Sequence, residues 1–197
     1  AIVAGDIFAK TASRFGVSFP PDKRPRFVRI KNREMISPKT WPRFTMVGQT
    51  WGSLRLAWQA LSIEVPHVYI DTTGFAFTLA LAKVCAGCVT AAYVHYPTIS
   101  TDMLTMVSSG RAAYNNQGGI ASSRVKTLLK LLYYRAFALA YGFVGSLTDF
   151  IMVNSTWTSG HIKSLWKRPS QTHIVYPPCD TAGLAHLVDA HQFRDRA

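Results

Sequence analysis

Acidic residues are scarce in this chain, and their scarcity sets its overall charge. The 197 residues include 10 Asp and Glu against 22 Lys and Arg, which gives a formal net charge of +12. Such an excess favours partners that carry phosphate: nucleic acid, anionic lipid or a phosphorylated substrate. The alternative is a domain whose acidic counterpart lies elsewhere. Hydrophobic residues make up 48% of the chain, a content that argues against disorder and suffices for one sizeable core or two small ones.

Cysteine is scarce as well, since three cysteines are too few for a disulfide framework. Cys85 and Cys88 form a single C-x-x-C motif, without a second pair or a histidine pair at zinc spacing. A redox or metal-binding role is therefore the weaker interpretation. The stronger one is small buried thiols in a reducing compartment.

The sequence also lacks a long apolar run and the common catalytic and nucleotide-binding signatures. The longest convincing apolar segment without charge covers residues 136–148 and has 13 residues, whereas a membrane-spanning helix needs about 20. At a membrane, the chain would lie on the surface or depend on an anchor elsewhere. The P-loop, G-x-G-x-x-G, H-E-x-x-H and G-x-S-x-G patterns are missing.

What the chain does contain is a proline-rich basic segment at residues 20–43. Between Lys23 and Arg43 there are eight Lys and Arg residues and a single acidic one, Glu34. Residues 26–31 alternate charged and apolar side chains, which predicts a half-exposed strand. We interpret that strand either as a solvated edge or as an anion-binding surface.

After this segment, short apolar strands alternate with helices. The pattern predicts strands at 67–70, 88–94, 150–153 and 173–176, and helices at 6–15, 52–64, 75–85, 100–108, about 122–145 and 156–166. In the helix at 52–64, the apolar stripe consists of Leu54, Ala57, Trp58 and Leu61. Such an alternation predicts an α/β fold, a Rossmann-like parallel sheet with helices on both faces.

Ligands of such sheets bind at the carboxyl ends of the strands. Three polar segments follow predicted strands, and each leads into a helix N-terminus, where free N–H groups favour anions. They are Asp71-Thr72-Thr73-Gly74, His95-Tyr96-Pro97-Thr98 and Asn154-Ser155-Thr156-Trp157. These three segments are the candidates for a ligand site.

His95 and Asp71 each have two interpretations. His95 has the titration range for acid–base work or for a neutral hydrogen bond to a sugar hydroxyl, but it could also be a satisfied histidine near the sheet edge. Asp71 could bind a hydroxyl, although an aspartate after a strand is also a common turn former.

Helix capping offers a structural interpretation for several other polar residues. Ser100 or Thr101 can cap the following helix, with Asp102 in its first turn. Asn154 and Ser155 can cap the helix that follows them in the same way.

The long helix from about residue 122 reads SSRVKTLLKLLYYRAFALAYGFVG. On a helical wheel, Lys126 and Lys130 lie together, whereas Arg124 and Arg135 lie on the opposite side. A membrane-surface helix would gather its charges on one face. Two interpretations stay open: a partly buried helix with snorkelling basic residues, or a helix in contact with a membrane.

The most specific signals are several long motifs in a fixed order. They are VGQTWGSLRLAWQAL, HVYIDTTGFAFTLAL, YVHYPTISTDML, YGFVGS, TDFIMVNSTWT, HIKSLWK and IVYPPCD. Together they resemble the dolichol-linked oligosaccharide α-1,2-mannosyltransferases of asparagine-linked glycosylation. The resemblance covers nearly the whole chain and is weakest at residues 1–45 and after 185.

This resemblance implies a GT-B glycosyltransferase with two Rossmann-like domains. The N-terminal domain would take a dolichyl-pyrophosphate oligosaccharide, and the C-terminal domain would hold GDP-mannose through a closely spaced pair of glutamates. Transfer would retain the anomeric configuration without a bound metal or other cofactor, at the cytosolic face of the endoplasmic reticulum. The implied partners are an anionic membrane surface and other glycosyltransferases of the pathway. Nucleic acid is not expected, since no RRM, KH or helix-turn-helix pattern occurs.

Site residues follow from the resemblance together with the strand-end segments and the distribution of basic charge. His95 is implied to be the catalytic residue, which orients the mannosyl group by a hydrogen bond. The residues expected to bind the acceptor are Asp71, Thr73, Gly74, Tyr96, Thr98, Ser100, Thr101, Asp102, Asn154 and Ser155. The residues expected to contact the membrane or the pyrophosphate are Arg29, Lys31, Arg33, Lys126, Lys130 and Arg135.

The chain also departs from the family pattern. It has only two glutamates, Glu34 and Glu64, which are too far apart to form the donor-binding pair. We therefore expect residues 1–178 to be an acceptor-binding domain without its first strand and loop, residues 179–197 to be a linker or truncated tail, and the donor domain to be absent. Such a fragment would be inactive alone. The alternative function is a non-catalytic basic module that binds a membrane or a protein partner.

Overall fold

The computed structural model describes residues 4–100, 102–103 and 124–178. They divide between two compact units, and the larger unit, Ile30–Tyr176, contains the whole sheet. The smaller unit includes the helix α1 (Ala4–Phe15), which ends at Gly16 with a φ of 65°. Glycine adopts this left-handed backbone without strain, so it is a common helix stop. The predicted helix at 6–15 is therefore confirmed.

Aromatic contacts organise the smaller unit. The ring of Phe8 lies 5.8 Å from the rings of Phe19 and Phe27, and the Arg24 guanidinium lies 5.3 Å above the centre of the Phe8 ring. No strand occurs at residues 26–31, so that prediction is wrong. The alternation did not predict burial either, since Phe27 and Val28 are exposed, and a strand also needs a hydrogen-bonded neighbour.

Helix α2 (Thr45–Ile63) begins earlier than the predicted start at Gly52. A methyl group added at Gly48 would lie 2.3 Å from the Trp41 ring, and one added at Gly52 would lie 2.1 Å from the carbonyl oxygen of Met35. The glycines therefore let the preceding turns approach the helix closely. Because glycine lowers helix propensity, the sequence pattern did not predict the first two turns of α2.

The apolar stripe of α2 is only partly as predicted. Ala57 and Leu61 are buried, but Trp58 is 59% exposed. The buried side of the helix also includes Gly48, Gly52 and Ser53. Small residues at these positions shift the contact face away from the large side chains.

The sheet has four parallel strands in the order β1-β2-β3-β4. They are β1 (Val68–Asp71), β2 (Val89–Val94), β3 (Phe150–Val153) and β4 (Thr172–Ile174). The helices between them are α3 (Ala76–Ala86), α4 (Arg124–Ser146) and α5 (Thr156–Trp166). The predicted α/β fold with a parallel sheet is confirmed. Most of the predicted helix at 100–108 lies outside the described residues.

The core lies on one face of the sheet. Ala92 and Val94 of β2 and Ile151 and Val153 of β3 are at most 2% exposed. They pack against residues of all three connecting helices, namely Ala76, Leu79, Tyr134, Phe137, Tyr141, Ile162 and Trp166. When each strand adds beside the previous one, right-handed crossovers put every connecting helix on the same side.

The other face of the sheet is exposed over much of its area. Val68 and Ile70 of β1, Val89 of β2 and Phe150 of β3 are between 44% and 58% exposed. Among the described residues, helices thus cover one face, whereas the alternation of strands and helices predicted cover on both. Alternation along the chain predicts that helices exist, but the order of the strands decides which side they occupy.

An aspartate clamps the amino-terminal edge of the sheet. The Asp149 carboxylate, just before β3, accepts hydrogen bonds from the Thr90 backbone N–H at 2.9 Å and the Thr90 hydroxyl at 3.0 Å. It also forms an ion pair with Lys83 of α3. Although desolvation raises the pKa of Asp149, the hydrogen bonds from Lys83 and Thr90 outweigh it and hold the pKa below its usual range.

Candidate functional site

The three polar segments predicted from the sequence meet at the carboxyl edge of the sheet. The Thr98 hydroxyl, after β2, donates to the carbonyl oxygen of Gly74, after β1, at 3.0 Å. The Thr158 hydroxyl, in the first turn of α5, donates to the carbonyl oxygen of His95 at 3.3 Å. Direct hydrogen bonds therefore tie the loops after β1, β2 and β3 to one another.

Asp71 shapes the loop after β1. Its carboxylate accepts hydrogen bonds from the Thr73 N–H at 2.9 Å, the Thr73 hydroxyl at 2.6 Å and the Gly74 N–H at 3.0 Å. Gly74 has a φ of 92°, which only glycine adopts without strain. Because both carboxylate oxygens are engaged in the loop and Asp71 is buried, the geometry favours the turn-forming interpretation of this residue.

His95 lies at the end of β2 with its side chain exposed. Its ring packs edge-on against Tyr93, with 4.8 Å between the ring centres. The Tyr93 hydroxyl in turn donates to the carbonyl oxygen of Val175, after β4, at 2.9 Å. His95 is thus held from one side by an anchored aromatic ring, and its side chain is exposed where it can reach a ligand.

A buried tyrosine supports the loop after β2 from below. Tyr141, in the middle of α4, lies beside Thr98, and its hydroxyl is buried. Burial raises the pKa of Tyr141 far above its usual value, and the polar groups of Thr98 and Trp166 nearby offset only part of the effect. The phenol therefore stays protonated beside the loop that Thr98 ties to Gly74.

An aromatic cluster adjoins His95. The rings of Tyr96 and Trp157 stack with 5.1 Å between their centres and an angle of 28° between their planes. Trp157 also packs edge-on against His161, at 4.1 Å, and the Nε2 atom of His161 lies 3.4 Å from a carboxylate oxygen of Asp102. Tyr96 and Asp102 were among the predicted acceptor residues, whereas Trp157 and His161 were not.

The remaining strand-end residues form helix caps. Ser155 accepts a hydrogen bond from the Thr158 N–H at 3.2 Å. Asn154 accepts one at 2.8 Å from the Thr158 hydroxyl, whose single proton it shares with the His95 carbonyl oxygen. The Ser100 hydroxyl is fully buried and accepts from the Met103 N–H at 3.2 Å. These residues give the loops their shape. Thr101 lies outside the described residues.

The predicted basic contacts are divided among different parts of the chain. Arg29 belongs to the smaller unit, whereas Lys31 and Arg33 begin the larger one, and all three are exposed. Lys130 lies on α4 with its ammonium 5.6 Å above the centre of the Tyr134 ring, and burial lowers its pKa. Arg135 is exposed on the same helix. The side chain of Lys126 is outside the described part.

The exposed side of α4 is mainly apolar. Its exposed large side chains are Leu128, Leu129, Leu132, Leu139 and Phe143. The opposite side, with Tyr134, Phe137 and Tyr141, belongs to the core. One side of α4 is thus buried and the other exposed, so both interpretations of the helix stay open. Among the described residues, no helix combines the length and the apolarity needed to cross a bilayer.

The described residues 4–100, 102–103 and 124–178 hold no cluster of His, Cys, Asp and Glu that could bind a metal ion. Of the C-x-x-C pair, Cys88 is buried, as predicted, but Cys85 is exposed. Both are free thiols.

Sequence comparison decides the family. A family model described as ALG11 mannosyltransferase N-terminus matches residues 2–166. The chain belongs to this family. The match includes His95 and the whole aromatic cluster, and the resemblance predicted from the motifs is confirmed. No solved structure matches the chain.

Several curated proteins named GDP-Man:Man(3)GlcNAc(2)-PP-Dol alpha-1,2-mannosyltransferase are similar to this ALG11-family chain. The protein from Xenopus laevis is 47% identical over 184 residues, which cover 93% of this chain and 37% of that protein. The human protein is 50% identical over 155 residues, or 79% of this chain and 32% of that protein. The Dictyostelium discoideum protein is 41% identical over 92% of this chain and 36% of its own length. The chain thus spans about a third of the length of these relatives.

Proposed function

We propose that this chain is the acceptor-binding part of a GT-B α-1,2-mannosyltransferase, which transfers mannose from GDP-mannose to a dolichyl-pyrophosphate-linked oligosaccharide. The names of the relatives supply the reaction class and both substrates. The observation that carries the proposal is the exposed His95, which stands where three hydrogen-bonded loops meet at the carboxyl edge of a parallel sheet. Ligands of such sheets bind at this edge.

His95 has a direct role in this proposal. An exposed imidazole beside a saccharide can donate or accept a hydrogen bond with a sugar hydroxyl and so orient the mannosyl group. Asp71, Thr98 and Ser155 keep the loops in place. Because Glu34 and Glu64 lie far apart in the sequence, we place the main GDP-mannose contacts in the part of the relatives that this chain does not match.

A chimera tests the proposal. In the Xenopus laevis relative, the matching segment is replaced by residues 2–166 of this chain, and transfer from GDP-mannose to Man3GlcNAc2-pyrophosphoryl-dolichol is measured. We expect at least about a tenth of the unmodified activity, because the exchanged segments belong to the same family and the relative is 47% identical to this chain. The 197-residue chain alone should transfer no mannose. A folded chimera without activity would contradict the proposal.

We propose in addition that the domain works against an anionic membrane, at the cytosolic face of the endoplasmic reticulum. The support is the net charge of +12 together with the exposed apolar side of α4, since basic charge and apolar side chains both favour contact with anionic lipid. Sedimentation with vesicles that contain about a third phosphatidylserine or none, a contrast based on surface charge, tests this. Equal binding to both would contradict it.

The exposed side of α4 also favours the second candidate function, a non-catalytic basic module that binds a membrane or a protein. The chimera separates the two functions, because such a module needs no mannosyl transfer. Vesicle binding together with an inactive, folded chimera would favour the module.

A further inference from the structure

Two large aromatic side chains remain open to solvent beside His95. Tyr96 is 58% exposed and Trp157 is 43% exposed, although their rings already stack on each other. Burial of such rings is favourable, so an exposed stacked pair at the ligand-bearing edge of a sheet has contact area left for a binding partner. Tyr96 directly follows His95, and Trp157 is the second residue of α5.

The pair is held in place before any ligand arrives. On its other side, the Trp157 ring packs against His161, whose side chain is 10% exposed and lies next to Asp102. The first turn of α5 is fixed by the Ser155 cap and by the hydrogen bond from Thr158 to His95. A rigid aromatic surface loses little conformational entropy when it binds a ligand.

The chemistry of the cluster selects the class of ligand. An aromatic face carries negative charge density and attracts the weakly positive C–H bonds on the face of a pyranose ring. The neighbouring Asp102 carboxylate is 62% exposed; it accepts hydrogen bonds from hydroxyl groups and repels phosphate. A neutral, hydroxylated ring therefore fits this cluster better than a phosphate group does.

We infer that Tyr96 and Trp157 form a platform that stacks against a pyranose ring of the acceptor oligosaccharide, with Asp102 as an acceptor for sugar hydroxyls. This inference rests on the proposed function for the identity of the saccharide. It assigns Trp157 to the site and distinguishes it from the exposed tryptophans of α2.

The test uses the 197-residue chain and the free pentasaccharide Man3GlcNAc2, with affinity measured by calorimetry. Trp157→Leu should weaken binding by about tenfold, because it removes the stacking face. Trp157→Phe, which keeps an aromatic face, should stay within about threefold of the wild type. The matched control is Trp58→Leu, since Trp58 is also highly exposed but lies on α2; its affinity should not change.

Several outcomes would overturn the inference. They are unchanged affinity of Trp157→Leu, equal weakening by Trp58→Leu, and no binding of the pentasaccharide by the folded wild-type chain. A fourth is quenching of tryptophan fluorescence by GDP that Trp157→Leu abolishes, with no effect of the pentasaccharide. In that case the platform stacks a nucleobase. Circular dichroism spectra and thermal midpoints confirm that each variant is folded.

The platform and the proposed function fail separately. An active chimera combined with unchanged affinity of Trp157→Leu would contradict the aromatic platform and still support the proposed transferase function. An inactive, folded chimera combined with pentasaccharide binding through Trp157 would contradict the transferase function and indicate a saccharide-binding domain.

Discussion

The two edges of the sheet use aspartate in opposite ways. At the amino edge, Asp149 joins groups far apart in the sequence, Thr90 of β2 and Lys83 of α3. At the carboxyl edge, the hydrogen bonds of the Asp71 carboxylate that the described residues show go to Thr73 and Gly74, two and three positions further along the chain. The first arrangement holds elements together, and the second shapes a single loop. The comparison indicates that the amino edge serves stability, whereas the carboxyl edge keeps a loop surface open for ligands.

The largest effect on activity is expected from His95→Ala in the active chimera, at the carboxyl edge of the sheet. Loss of one hydrogen bond that orients the sugar should lower turnover by about a hundredfold. Stability should not change, because the side chain is exposed. Steady-state kinetics and thermal unfolding of the same samples are the measurements. Near-normal turnover would leave His95 without a catalytic role.

Asp149→Ala should have the next largest effect, on the other edge. It removes two hydrogen bonds and a partly exposed ion pair, so we expect the free energy of unfolding to fall by about 2 kcal/mol. Pentasaccharide affinity should stay unchanged in the folded variant. Urea unfolding measures the loss, with Asp22→Ala, exposed in the smaller unit, as the control. Weaker pentasaccharide binding by folded Asp149→Ala would contradict the view that the amino edge contributes to stability and not to ligand binding.

A pair of glycines gives a smaller and more direct comparison. Gly74, at the carboxyl edge, has a φ of 92°, and Gly87, just before β2 at the amino edge, has a φ of 68°. Alanine at either position should cost about 1 kcal/mol of stability, because both need a left-handed backbone. Only Gly74→Ala should also weaken pentasaccharide binding, since the Gly74 carbonyl holds Thr98. Equal affinities of the two variants would argue against the difference between the edges.

The smallest expected effect is a pH dependence at the amino edge. The pKa of Asp149 is lower in the folded chain than its usual value, so its contribution is complete above about pH 4 and is lost as the pH falls further toward the folded pKa. The stability advantage of the wild type over Asp149→Asn should therefore shrink by less than about 1 kcal/mol on acidification, because the pair is partly exposed. Urea titrations of both proteins at several pH values measure this. An advantage that grows toward low pH would reverse the sign.

Elements with an uninterrupted pattern could be predicted from the sequence. The strand at 150–153 and the helix at 156–166 have the bounds that their patterns predict. The start of α2 could not be predicted, because Gly48 and Gly52 lower helix propensity while tertiary contacts with Trp41 and Met35 select them.

The position of the candidate site could be predicted, because the carboxyl ends of parallel strands share an edge and the polar segments that follow them therefore meet there. Trp157 belonged to one of the three candidate segments but was not predicted to bind the acceptor, because its partner Tyr96 lies on another strand-end loop, far away in the sequence. The only signal was a large aromatic residue directly after a polar strand end. The pairing of side chains across loops depends on strand order and register, which no local spacing reveals.

Helix α4 has one further consequence, which concerns mechanics. Its outer side carries exposed leucines and Phe143, while Tyr141 on its inner side lies beside Thr98 in the loop after His95. A rigid helix moves as one body, so a tilt imposed on its outer side shifts Tyr141 and, through Thr98, the loop that carries His95. A partner bound to the outer side of α4 would therefore change the distance between His95 and a bound sugar.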